Sequence, residues 1–149
     1  MVACHKYPDV QTDACPALVR RLAAYDSLVE VGVGRRLEVG RELADSGVSV
    51  TVTDVHDPRD AGVAIPDAVR FVRDDVVAAS ESSDPHPCYR ATAYYALNCP
   101  PELHRPIRTL ARRHGADFLF TTLGGDQPAI PVDRETLPGE TLFVARDGP

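Results

Sequence analysis

A chain of 149 residues that is 44% hydrophobic can fill one domain core but not two. Its net charge of -6, without a long basic run, speaks against a general nucleic-acid binder, and no stretch reaches the ~18 apolar residues of a membrane span. A soluble, cytoplasmic protein is expected, because the opening MVACHKYPDV has neither the apolar core of a secretory signal nor the Arg/Ser richness of a transit peptide. Residues 1–11 are expected to form a flexible lead into a single domain. The 22 acids face 16 basic residues of which only Lys6 is a lysine. Short carboxylates with little lysine suit a surface kept soluble in high salt, so a halophilic source is expected; codon bias replacing Lys by Arg is the plainer alternative.

In chain order, residues 12–25 carry apolar positions at helical spacing, with Thr12 or Asp13 as N-cap. SLVEVGVG is a short apolar run ending in glycines, RRLEVGRELADSG a helix closed by Gly47, and VSVTVTDV an alternating β-branched strand. Residues 27–54 therefore form one right-handed βαβ unit. HDPRDAGVAIPDA leaves little room for a second crossover helix. VRFVRDDVV is a third strand, SESSDPHP a surface loop, and RATAYYALN a fourth strand. PPELHRPIRTLARRHG is a helix in which Pro106 either makes a kink or marks the true first turn, and ADFLFTTL is a fifth strand. The tail begins as a proline-rich loop and ends in TLFVAR, a sixth strand. Strands alternating with helices give an α/β class with a mostly parallel sheet covered on both faces.

In such sheets ligands bind beyond the carboxyl ends of the strands, where the strand order reverses. VEVGVGRRLEVG places Gly32 and Gly34 at the end of the first strand, and Asp54 ends the second. Glycines let a turn pass close beneath a ligand, a helix beginning near Arg35 offers unpaired N–H groups, and an acid after the second strand can accept both ribose hydroxyls. The third glycine of GxGxxG is missing, with Leu37 in its place. A tight turn that binds nothing, with Asp54 capping the turn after its strand, is the alternative.

These residues resemble the first motifs of Rossmann-like S-adenosylmethionine-dependent methyltransferases: Glu30-Val31-Gly32-Val33-Gly34, then Asp54, then the pair Asp74-Asp75. The VEVGVGR start and ALNCPPELHRPIRTLARRHGAD are more specifically similar to an archaeal group, uncharacterised protein family 0146, over most of residues 12–125. The resemblance implies a three-layer fold with S-adenosylmethionine against Gly32 and Gly34. Glu30 would support its methionine end, Asp54 would take the ribose, and Asp74 or Asp75 would meet the adenine amino group. Asn98-Cys99-Pro100-Pro101 departs from the Asn-Pro-Pro-aromatic motif of amino-methyltransferases, because Cys99 is inserted and Glu102 replaces the aromatic. Asn98 stays a candidate at the end of the fourth strand, and a helix start built from prolines is the competing account.

Other readings are structural or negative. Arg35 and Arg36, in the first helical turn, oppose the helix dipole; Arg35 can pair with a cofactor carboxylate or phosphate, and a solvated salt bridge is the alternative. Asp74 and Asp75 are equally consistent with a turn and an N-cap. Cys4, Cys15, Cys88 and Cys99 share no CxxC spacing, so neither disulfides nor a metal site is expected. Cys4 and His5 are neighbours whose side chains diverge on an extended chain, and His86-Pro87-Cys88 has no second pair at ligand spacing. His104 and His114 are expected on the surface, and Tyr94 and Tyr95 in the core. No GxSxG elbow points to a hydrolase, and no catalytic base is identifiable. Two alternatives to a minimal methyltransferase stay open: an NAD-binding sensor, and a non-catalytic interaction subunit with a degenerate fold. A methyl acceptor would require a protein partner, a homo-oligomer or a very open site.

Overall fold

The computed structural model describes residues 14–146. The expected lead over 1–11 and the Thr12 and Asp13 caps lie outside them. Helix Ala14–Leu22 (α1) precedes Ser27–Val31 (β1), and Glu38–Asp45 (α2) joins it to Ser49–Asp54 (β2). A single 3-10 turn, Pro58–Ala61, replaces a crossover helix before Arg70–Arg73 (β3), as the two prolines and the glycine there require. Val76–Glu81 (α3) leads to Ala93–Ala96 (β4), Pro101–Arg113 (α4) to Asp117–Phe120 (β5), and the chain closes with Val132–Leu137 (β6) and Glu140–Ala145 (β7).

The strands form one sheet in the order β3-β2-β1-β4-β5-β7-β6. β1 to β5 run parallel, and β7 is antiparallel to both β5 and β6. On one face, Leu18 and Leu22 of α1 and Leu43 of α2 pack with Leu28, Val50, Val52 and Tyr95. On the other, Val76 and Ala79 of α3 and Ile107 and Leu110 of α4 pack with Val29, Tyr94 and Phe118. This is the three-layer α/β arrangement the alternation predicts. Chain order reverses between β1 and β4, so their carboxyl ends open the crevice in which such sheets bind ligands.

α2 starts at Glu38 and not near Arg35. Gly34 has φ +61°, which a helix cannot absorb, and the Arg36 N–H closes a turn onto the Val33 carbonyl at 3.2 Å. Gly47, with φ +94°, ends the helix as expected: its N–H bonds the Ala44 carbonyl and that of Val48 bonds Leu43, both left over by the last turn. Gly40 supplies the close helix-to-sheet approach for which the missing third glycine would serve, since a Cβ there would sit 3.3 Å from Val52 Cγ1.

Three expectations needed correction. VRFVRDDVV is half strand and half helix: the Asp75 carboxylate accepts the Val77 N–H at 2.9 Å and starts α3, which extends into the expected loop. The tail loop contains β6, an edge strand whose exposed Asp133 and Arg134 hide the apolar alternation by which strands are recognised. It turns into β7 through Pro138-Gly139, with Gly139 at φ +76° as a type II turn prefers. Arg21 of α1 holds this edge by donating two hydrogen bonds to the Glu135 carboxylate, at 2.8 and 3.1 Å. Pro106 lies within α4, which runs unbroken from Pro101. The carbonyl its missing N–H leaves over belongs to Glu102, an exposed residue of the first turn.

Asp75 is α3's side-chain cap, so Asp75→Ala is expected to cost about 1 kcal/mol. Urea unfolding should show a lower midpoint at unchanged slope. An unchanged midpoint would mean that α3 is held by packing alone.

Candidate functional site

The expected site residues stand at the carboxyl ends of four adjacent strands: Asp74 after β3, Asp54 at β2, Gly32 and Gly34 after β1, and Asn98 after β4. The glycine turn is latched to β2. Gly32 and Val33 donate to the Thr53 carbonyl at 2.9 and 3.0 Å, and the Thr53 hydroxyl donates back to the Glu30 carbonyl at 3.0 Å. Asp54 completes the latch, accepting the Gly34 N–H at 2.8 Å on one oxygen and the His56 N–H at 3.0 Å on the other. It thus caps the turn after its strand, as the structural alternative required. Each carboxylate oxygen retains a second acceptor site, so two further donors can be held. At Gly32 (φ +73°) and Gly34 a Cβ would meet no atom within 4 Å, so the space over the turn is open and the backbone can be approached closely.

Glu30 is buried beneath this turn at 2% exposure. Its neighbour in register on β4 is Tyr95, whose hydroxyl donates to Glu30 Oε1 at 2.7 Å. Burial pushes the Glu30 carboxyl up to about 8; the Tyr95 bond opposes the rise, and Glu38 and Asp54 add to it. Glu30 is therefore protonated at neutral pH and attached to the core. Arg35 is exposed in the turn ahead of α2, so the expected conflict with the helix dipole falls away, since that field acts within the first helical turn.

Asp74 is tied to both neighbours. Its N–H bonds the Asp54 carbonyl at 3.0 Å, and its carboxylate accepts the Tyr89 hydroxyl at 2.7 Å. Asp75 points instead into α3 as its cap. Asn98 is exposed with φ +51°, a left-handed conformation that asparagine adopts more readily than other non-glycine residues. Thr121 at the end of β5 enforces it: its hydroxyl accepts the Asn98 N–H, and its carbonyl accepts that of Cys99, both at 2.8 Å.

His104 is fully buried, contrary to the surface expectation. Its Nδ1 accepts the Ala129 N–H at 3.0 Å, which leaves Nε2 to donate to the Cys99 carbonyl at 3.1 Å. One neutral ring thus joins the segment after β4 to the segment before β6, and burial lowers its pKa. His114 is half-buried beside the Tyr94 hydroxyl at 3.1 Å, while Tyr94 and Tyr95 are core residues as expected. Tyr89, Tyr95, Thr121 and His104 were missed because each acts through a partner far along the chain; only the register of Glu30 with Tyr95 could have exposed one of them.

No described helix is long and apolar enough to cross a membrane. Comparison with solved structures returns methyltransferases. One is an RNA methyltransferase from Salinibacter ruber in complex with S-adenosyl-L-homocysteine (TM-score 0.53, 21% identity, covering 86% of this chain and 88% of that one). Another is magnesium protoporphyrin IX methyltransferase from Synechocystis with bound S-adenosylmethionine (TM-score 0.57, 13% identity, covering 93% and 83%). At these identities the likeness is one of fold. Neither neighbour supports the dinucleotide alternative, and the antiparallel β7 between β5 and β6 departs from the 3-2-1-4-5-6 order of the dinucleotide fold. A UPF0146 protein of Halobacterium salinarum, a halophile, is 43% identical over 137 residues, 89% of this chain and 96% of that protein. The model of the uncharacterised protein family UPF0146 matches residues 13–148, and the chain belongs to that family.

Proposed function

We propose that the crevice at the carboxyl ends of β1 to β4 binds S-adenosylmethionine and that the protein is a methyltransferase of minimal size. The observation that carries this is the Asp54 carboxylate bonded to the Gly34 N–H beside a glycine turn with open space above it. In this reading Gly32 and Gly34 admit the methionine end, with Glu30 below, and Arg35 pairs with the cofactor's carboxylate. Asp54 accepts the ribose hydroxyls on its remaining lone pairs, Asp74 receives the adenine amino group, and Asn98 faces the acceptor side. The bound cofactor supplies an electrophilic sulfonium methyl group; the protein's contribution is orientation of the two reactants. The S-adenosylhomocysteine and S-adenosylmethionine held by the two neighbours support the same choice of ligand.

The test is thermal unfolding in molar KCl with S-adenosylmethionine, S-adenosylhomocysteine, NAD or buffer. A ligand at ~100 times its dissociation constant adds about 2.7 kcal/mol, which for a domain of this size raises the midpoint by roughly 5–10 °C. Both adenosyl compounds are expected to do so and NAD is not. Asp54→Ala should weaken S-adenosylhomocysteine by about 1.5–3 kcal/mol, roughly 10- to 150-fold, in calorimetric titration. Stabilisation by NAD alone would replace this reading with the sensor, and no shift with any compound would leave the interaction subunit.

A further inference from the structure

A cavity of about 400 Å³ opens at the end of the sheet opposite the glycine turn, between the last turns of α4, the start of β5 and the end of β7. Arg108, Arg112 and Arg146 line it, with Asp117 and Phe118. α4 carries four arginines against one acid, in a chain whose net charge is -6. Arg113 is spent on the carbonyls of Ser80 and Ser82. Arg108 faces the cavity from α4, and Arg146 reaches it from the end of β7 with a long 3.6 Å contact to Asp133. The Asp117 carboxylate accepts the Tyr25 hydroxyl at 2.7 Å, and Tyr25 packs with the core on the other face of the sheet. The decisive atom is Arg108 Nη1, which is shut off from solvent and has no hydrogen-bond partner among the described residues. A charged N–H deprived of both water and acceptor is costly, and an anionic oxygen seated in the cavity would supply the missing acceptor.

We infer that this cavity binds a phosphate group. A carboxylate has two oxygens and is matched by a single guanidinium fork, whereas the guanidinium groups of Arg108 and Arg146, brought from two elements to one space, suit a multiply charged group with three or more oxygens. The phosphate belongs either to a free nucleotide-like metabolite or to an RNA backbone. The site is separate from the glycine turn and stands whether or not that turn binds S-adenosylmethionine.

The probe is inorganic phosphate, titrated into the full chain in KCl at fixed ionic strength and followed by thermal unfolding and by the phosphorus NMR linewidth, with acetate as control. Wild type should show a saturable rise of a few degrees that acetate does not reproduce. Arg108→Gln and, independently, the exposed Arg146→Gln should each weaken the response at least tenfold and leave the response to S-adenosylhomocysteine as in wild type. Without phosphate, Arg108→Gln should be no less stable than wild type, since it removes an unsatisfied charged donor. Repeating the titration with AMP and with a short RNA then assigns the source, according to which of them loses affinity in both variants. A non-saturating response, an equal response in both variants, or an equal response to acetate would overturn the assignment.

Discussion

Glu30→Gln is expected to remove the fall in stability that Glu30 causes between pH 5 and 8. The Glu30 carboxyl titrates near 4.5 in an unfolded chain and near 8 when folded. Below 4.5 both states hold the proton and burial carries no ionisation penalty. Between 4.5 and 8 the unfolded chain releases a proton that the native state keeps, so native stability falls by about 1.4 kcal/mol per pH unit and levels off above 8. The accumulated loss is several kcal/mol, a large share of the roughly 5–15 kcal/mol that holds a domain folded. Glutamine is neutral throughout, and its carbonyl oxygen can still accept the Tyr95 hydroxyl. The quantity to measure is therefore the difference in unfolding free energy between variant and wild type, which should grow in the variant's favour from pH 5 to pH 8. Parallel curves would show that Glu30 ionises in the native protein.

Phe120→Ala is expected to cost about 3–5 kcal/mol, lowering the thermal midpoint by on the order of 10 °C. Phe120 is fully buried, and its ring centroid lies 4.3 Å from that of His104, 4.8 Å from Phe118 and 5.5 Å from Phe143. Strand, helix and hairpin meet on this one ring, so the cavity cannot be closed by moving a single element. Because His104 rests on it, hydrogen-exchange protection of the Ala129 N–H should fall beyond the global loss. Equal loss at all core amides would show that His104 holds the two segments without Phe120.

Much of the fold was legible in local pattern, and the reason is periodicity. The β-branched alternation of VSVTVTDV, the glycines after SLVEV and the glycine that ends α2 report local backbone conformation, which neighbouring residues dictate. Where local signals compete, the reading failed: Val76 and Val77 favour strand, but Asp75 one residue earlier caps a helix, and the charges of β6 conceal an edge strand. The glycine turn and the acid after β2 were readable because chain connectivity alone brings Gly34 and Asp54 to one end of a βαβ unit. Tertiary structure decided the rest. The raised Glu30 carboxyl depends on burial that outweighs the opposing Tyr95 bond, the left-handed Asn98 on Thr121, and the neutral His104 on an N–H from a segment 25 residues away. The arginine cavity likewise exists only where the end of β7 returns beside α4. Sequence determines the conformation a few residues prefer; protonation, strain and ligand geometry are set by which distant groups share a low-dielectric space, and that is a property of the packed chain.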